Sequence, residues 1–143
     1  MDGVATIRTI GHDLAVKAVS AAVAAGIECG CPVVAAIIGA GGELVALLRA
    51  SGAPFPSTQF AQDKAYTAAS FRVPTPDLYE MISGNPALRD GIAAKPGIAM
   101  FGGGLPIDIG GECVGAIGVS GASEEIDTIC ANAGLAAIGA TQH

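Results

Sequence analysis

The sequence predicts an α+β fold: one domain over residues 1–143, with a five-stranded antiparallel sheet and flanking helices. Short apolar runs broken by glycine turns gather at 33–49 and 98–119. Helical periodicity gathers instead at the start, middle and end of the chain. The regular strand–helix alternation of a doubly wound fold is absent, so helices packed on an antiparallel sheet fit the order better. Twenty-one glycines, densest at 101–105 and 110–121, lie in and beside these runs. They mark bulges, bends or close backbone approach.

The first helix is expected over about 13–25, where Val16, Val19, Val23 and Ile27 recur at helical spacing and Lys17 and Ser20 face outward. Pro32 precedes Val33–Ile38, a strand buried on both faces. Gly39–Gly42 is a turn into a second strand, Glu43–Arg49, giving a hairpin. After a Gly/Pro loop at 51–56, Ser57 or Thr58 can cap a helix over about 58–71. In it Phe60, Lys64, Thr67 and Phe71 form one stripe. Thr75-Pro76 opens a short helix through Met81, and 85–96 holds a turn or short helix. Strands follow at 98–101, 105–109 and 112–119. Ser123 caps the last helix, with Glu124, Glu125 and Asp127 near its positive end and Ile126, Cys130, Ala133 and Ala137 as its buried side.

Composition narrows the function classes. A net charge of −6 with only seven Lys plus Arg argues against nucleic-acid binding. No run approaches the roughly 18 apolar residues of a membrane span. The N-terminus lacks the pattern of a signal peptide, so the cytoplasm is the expected compartment. Only 14% of residues are charged, which points to burial between subunits and a homo-oligomer, a dimer or larger. Cys29 and Cys31 make a poor zinc half-site, Cys113 and Cys130 read as buried thiols, and no metal site is expected.

Lys64 is the sharpest chemical candidate. Between aromatics it can meet an anionic ligand or act as a base; it can equally snorkel or pair with a carboxylate. Arg49 can fork onto a carboxylate or form an ion pair between subunits. The amides of Gly102, Gly103 and Gly104 can cradle an anion or simply form a turn. Ser120 and Gly121 stand where a strand end meets a helix N-terminus, an anion-binding arrangement. Glu124 and Asp127 beside them can serve as general acid or base, or stabilise the first helical turn. Phe60, Thr67 and Phe71 complete the set of ligand-binding candidates.

Ser51–Ala69, with its Lys64-Ala-Tyr-Thr-Ala68 core, Gly102-Gly-Gly-Leu-Pro106 and Val114-Gly-Ala-Ile-Gly-Val-Ser-Gly121 together resemble the GlcG/HbpS-like family over nearly the whole chain. The resemblance implies a five-stranded antiparallel sheet with flanking helices and homo-oligomers. It also implies functions that vary within the family, from haem binding and degradation to small-molecule catabolism. Many relatives carry aspartate at the end of the first strand, where this chain has Gly39. Haem ligation would fall to Tyr66, Tyr79, Met81, Met100 or a cysteine, since no internal histidine offers itself. Two readings stay open: a small-ligand-binding protein of the haem or tetrapyrrole type, and a cofactor-free lyase or isomerase. The latter would act on a small carboxylated metabolite, aromatic or not, held by Arg49 or the glycine amides, with Lys64 and Asp127 or Glu124 transferring protons. A purely structural role in an assembly is the third.

Overall fold

The computed structural model describes residues 2–143. In chain order the elements are α1 (His12–Glu28), β1 (Val34–Gly39), β2 (Leu44–Arg49), α2 (Ser57–Phe71), α3 (Thr75–Ile82), α4 (Pro86–Ala93), β3 (Gly104–Ile109), β4 (Glu112–Ser120) and α5 (Glu124–Ala137). The strands pair antiparallel in the order β2-β1-β4-β3. The β1–β2 hairpin therefore forms as expected, and β1, buried at all six positions, lies inside the sheet.

Among the described residues four strands form, where the sequence predicted five. The missing one is 98–101. Gly97, at φ +86°, turns the chain. Beyond it the Ala99 N–H donates to Thr67 Oγ1 at 3.0 Å, and the Phe101 carbonyl accepts from Thr75 Oγ1 at 2.6 Å. Two threonine hydroxyls on α2 and α3 take backbone groups that a strand would have offered to a neighbour. An apolar run of four residues looks alike in either setting.

Helices cover both sheet faces. On one, α1 and α5 pack over Val33, Ala35, Ile37, Leu105, Ile107, Ile117 and Val119. Helix α1 turns a different side inward from the one its valines suggested. Its buried residues are Ala15, Ala18, Val19, Ala22 and Gly26, while Val16 and Ile27 are exposed. Small residues win because α5 crosses closely: a Cβ on Gly134 would stand 2.9 Å from the Ala18 carbonyl oxygen. In α5, Ser123 caps as predicted, accepting from the Ile126 N–H at 3.2 Å. Its buried side is Asp127, Cys130, Ala131, Gly134 and Leu135, and Ala137 is exposed.

On the other face lies α2, over Val34, Ala36, Ala53 and Gly118. Neither Ser57 nor Thr58 caps it; Pro56 occupies the N-cap with no side-chain bond. Thr75 does not cap α3 either, because its hydroxyl turns inward to Phe101 and Gly104.

Candidate functional site

Helix α2 lies against β4 and carries Lys64 inward, 1% exposed, toward the start of α5. Its ammonium donates to the Val119 carbonyl at 2.9 Å and to Asp127 Oδ2 at 3.1 Å, and lies 4.9 Å from the centre of the Phe101 ring. Asp127, 2% exposed, also accepts from the Ala122 N–H through Oδ1 at 3.0 Å. Gly103, at φ +123°, passes so close that a Cβ there would stand 2.9 Å from the lysine nitrogen and 2.5 Å from the Val119 carbonyl oxygen. Only glycine suits that position, on grounds of both space and backbone conformation.

Burial works against both charges. It pulls the Lys64 ammonium below its ordinary pKa although Asp127 and Glu124 attract it. Burial likewise pushes the Asp127 carboxyl above the usual range, against the pull of Lys64 and the Ala122 N–H and with help from Glu124. The two proton affinities are thus driven toward each other, as in pairs that exchange protons.

The pair forms the floor of a cleft of about 420 Å³. Pro54, Pro56 and Ser57 wall one side, Phe60 and Phe101 another, and Ser120, Gly121 and Ala122 with Glu124 the third. Phe60 and Phe101 meet edge to face, centroids 5.7 Å apart, and both rings are partly exposed. Phe101 also lines an adjoining hollow of about 460 Å³ with Tyr79, Ala93, Ile98, Ala99 and Met100.

The structure therefore brings Lys64, Asp127, Glu124, Phe60, Ser120 and Gly121 to one place. The glycine turn stands behind them rather than in the cleft. The Gly102 N–H donates to Glu124 Oε1 at 2.7 Å and the Gly104 N–H to Thr75 Oγ1 at 3.2 Å, so those two amides are occupied. Thr67 is buried, donating to the Asp63 carbonyl at 2.7 Å. Phe71 lines a different hollow with Tyr66 and Lys95. Arg49 bonds the carbonyls of Ala53 and Pro54 and thereby braces the loop that forms one cleft wall. Sequence reasoning passed over Phe101, and its position directly before three glycines was the available signal.

His143 is held by two bonds between its backbone and the Asn132 side chain, at 2.8 and 2.9 Å. Near Gly39, the Glu43 carboxylate occupies the space a side chain there would fill, accepting from Thr9 Oγ1 at 3.0 Å.

Among the described residues no group of three or more His, Cys, Asp and Glu side chains is placed to hold a metal ion. No described helix is long and apolar enough to cross a membrane.

Comparison with known proteins places these features among relatives. The family described as "Haem degrading protein HbpS-like" matches residues 10–136. An uncharacterized 15.0 kDa protein from the dhaT-dhaS intergenic region of Citrobacter freundii is 32% identical over 130 residues, 90% of this chain and 92% of that protein. The crystal structure of a double mutant of Streptomyces reticuli HbpS superposes with a TM-score of 0.87 at 34% identity, covering 97% of this chain and 93% of that one. The crystal structure of a PduOC–haem complex superposes with a TM-score of 0.86 at 28% identity, covering 94% of this chain and 99% of the other.

Proposed function

The chain belongs to the HbpS-like family, and from that premise we propose that it is a small-ligand-binding protein whose ligand is haem or a closely related tetrapyrrole. One observation carries the reading. Phe101 is the common wall of two adjoining hollows, so a flat ligand wider than either can lie across it.

The donor chemistry fits haem. The hollow beyond Phe101 presents a phenol, Tyr79, and a thioether, Met100, both side chains that ligate haem iron. Phe60 and Phe101, packed edge to face on each other, offer apolar ring surface to the macrocycle. When bound, haem supplies a redox-active iron whose properties follow its axial ligand and the burial of its surroundings.

Cleft electrostatics bear on the choice of ligand. With Lys64, Asp127 and Glu124 all ionised, one positive charge faces two negative ones. The lysine's donors are already directed at Val119 and Asp127. A small carboxylate placed there would meet net negative charge. An uncharged macrocycle face would meet no such opposition there, and its iron would fall to Tyr79 or Met100 in the adjoining hollow.

Hemin titration monitored by absorbance tests this. A saturable, shifted Soret band near one haem per chain is expected. Tyr79→Phe or Met100→Leu should change the band, and Phe101→Ala should weaken binding roughly tenfold, the scale of one lost aromatic contact. His143→Ala, which alters a separate hollow, should leave the band in place. A folded protein with no Soret shift at saturating hemin would overturn the proposal.

One observation favours a second reading. The opposed shifts of Lys64 and Asp127 at the cleft floor suit proton transfer in a cofactor-free lyase or isomerase. The net negative cleft weighs against its carboxylated substrate, so this reading ranks second. A homo-oligomer accompanies either, since Leu44 and Leu48 stand exposed on edge strand β2.

A further inference from the structure

The Cys29–Cys31 turn is used by neither reading, yet it is the most sharply built feature outside the cleft. It ends α1. The Cys31 N–H donates to the Gly26 carbonyl at 2.8 Å and the Gly30 N–H to the Ile27 carbonyl at 3.0 Å. These nested bonds are the Schellman ending, with Gly30 left-handed at φ +72°. Cys29 and Cys31 flank that glycine in a backbone of helical curvature, which sets their Cα atoms about 5.4 Å apart. Disulfides span Cα separations of about 4.4–6.8 Å.

Access is graded. Cys29 is exposed and Cys31 half-buried, its Sγ 3.6 Å from the Cys29 carbonyl oxygen. Nothing lies within 4 Å of where a Cβ on Gly30 would stand, so the turn is open to a small reagent. All four cysteines are free thiols.

We propose that Cys29 and Cys31 are a reversible dithiol site that closes to an intramolecular Cys–Gly–Cys disulfide by exchange with a low-molecular-weight disulfide. With glutathione disulfide, the Cys29 thiolate attacks one sulfur, forms a mixed disulfide and releases one glutathione. The Cys31 thiolate then attacks the Cys29 sulfur, the mixed disulfide breaks, and a second glutathione leaves. Two protein thiols are oxidised, one glutathione disulfide is reduced, and the two thiol protons end on the two glutathiones. A ring spanning a single residue is strained, so reduced glutathione reopens it.

Cys130 does not compete. It is fully buried, and burial, helped by the Cys29, Asp127 and Cys31 charges, pushes its thiol up to about 11. Thiols in such settings are inert. The dithiol turn also abuts the candidate cleft from behind, since a Cβ on Gly121 would stand 2.8 Å from the Pro32 carbonyl oxygen.

The full chain incubated with glutathione disulfide, alkylated, and read by intact mass and peptide mapping provides the test. The expected product has lost two hydrogens, retains no glutathione, carries a Cys29–Cys31 link, and reverts in reduced glutathione. Cys31→Ser should instead keep one glutathione on Cys29. Cys29→Ser should stay unmodified at Cys31 under the same exposure. A wild-type chain that keeps glutathione on Cys29, links Cys29 to Cys130 or to a second chain, or does not react would overturn the proposal.

Discussion

Replacing Lys64 by methionine is expected to destabilise the fold by about 3–5 kcal/mol, the range for breaking a buried ion pair from one side. Methionine fills much of the lysine's volume, so the loss would not come from a cavity. It would come from Asp127, which keeps its Ala122 bond but loses the charge that offset its burial. The double variant Lys64→Met, Asp127→Asn should be more stable than Lys64→Met alone, because no charge is then left buried without a partner. Urea unfolding of both single variants and the double completes the cycle. A Lys64→Met protein within 1 kcal/mol of wild type would mean that roughly neutral partners, not an ion pair, occupy the floor.

The same substitution carries a pH signature with a fixed sign. The folded-state pKa of Asp127 lies above its ordinary value, so the native chain binds this proton more tightly than the unfolded chain does. Its contribution to stability is therefore full below about pH 3.9 and is lost as pH rises through the folded-state value. Removing Lys64 takes away the attraction that lowers that value and leaves the burial that raises it. The Asp127 titration should move to higher pH in Lys64→Met, and the cost of the substitution should shrink on acidification. Carboxyl-carbon NMR of the two proteins reads this directly. A midpoint that does not rise would contradict the assignment of burial as the dominant cause.

Much of the architecture was legible because its signals are local. Glycine turns bracketed the hairpin, Ser123 sat before three acidic residues, and the 33–38 run was too apolar for an exposed strand. The segment 98–101 was not legible, because what decides it is Thr67 and Thr75, side chains supplied by two distant helices. The α2 stripe divides in the structure: Phe60 and Lys64 line the cleft, Thr67 is buried, and Phe71 lines another hollow. Phe60 and Phe71 are eleven residues apart, about 16 Å along a helix axis, so one small cleft cannot touch both. Lys64 and Asp127 were named together on chemical grounds, with Glu124 as the alternative, but their contact is a tertiary fact. Nothing in the spacing of 63 residues predicts it.

Gly118→Ala is expected to be the most damaging single-methyl change, costing about 4 kcal/mol or more, at the upper end of point-mutation effects. Gly118 lies in β4 directly beneath α2, and a Cβ there would overlap the Ala61 carbonyl and stand 2.5 Å from the Ala65 amide nitrogen. Both obstacles are backbone, so no side-chain rotation relieves them. Either the helix lifts from the sheet or the strand distorts. Lifting α2 would also withdraw Lys64 from Val119 and Asp127, coupling this glycine to the cleft without contact with any ligand. Gly91→Ala supplies the opposite case. Gly91 lies within α4 with nothing inside 4 Å of its added Cβ, so alanine there should stabilise by about 0.5–1 kcal/mol through helix propensity alone. Thermal unfolding of the two variants against wild type separates close packing from general intolerance of glycine replacement. Comparable losses at both positions would show that the α2–β4 approach is not what fixes Gly118.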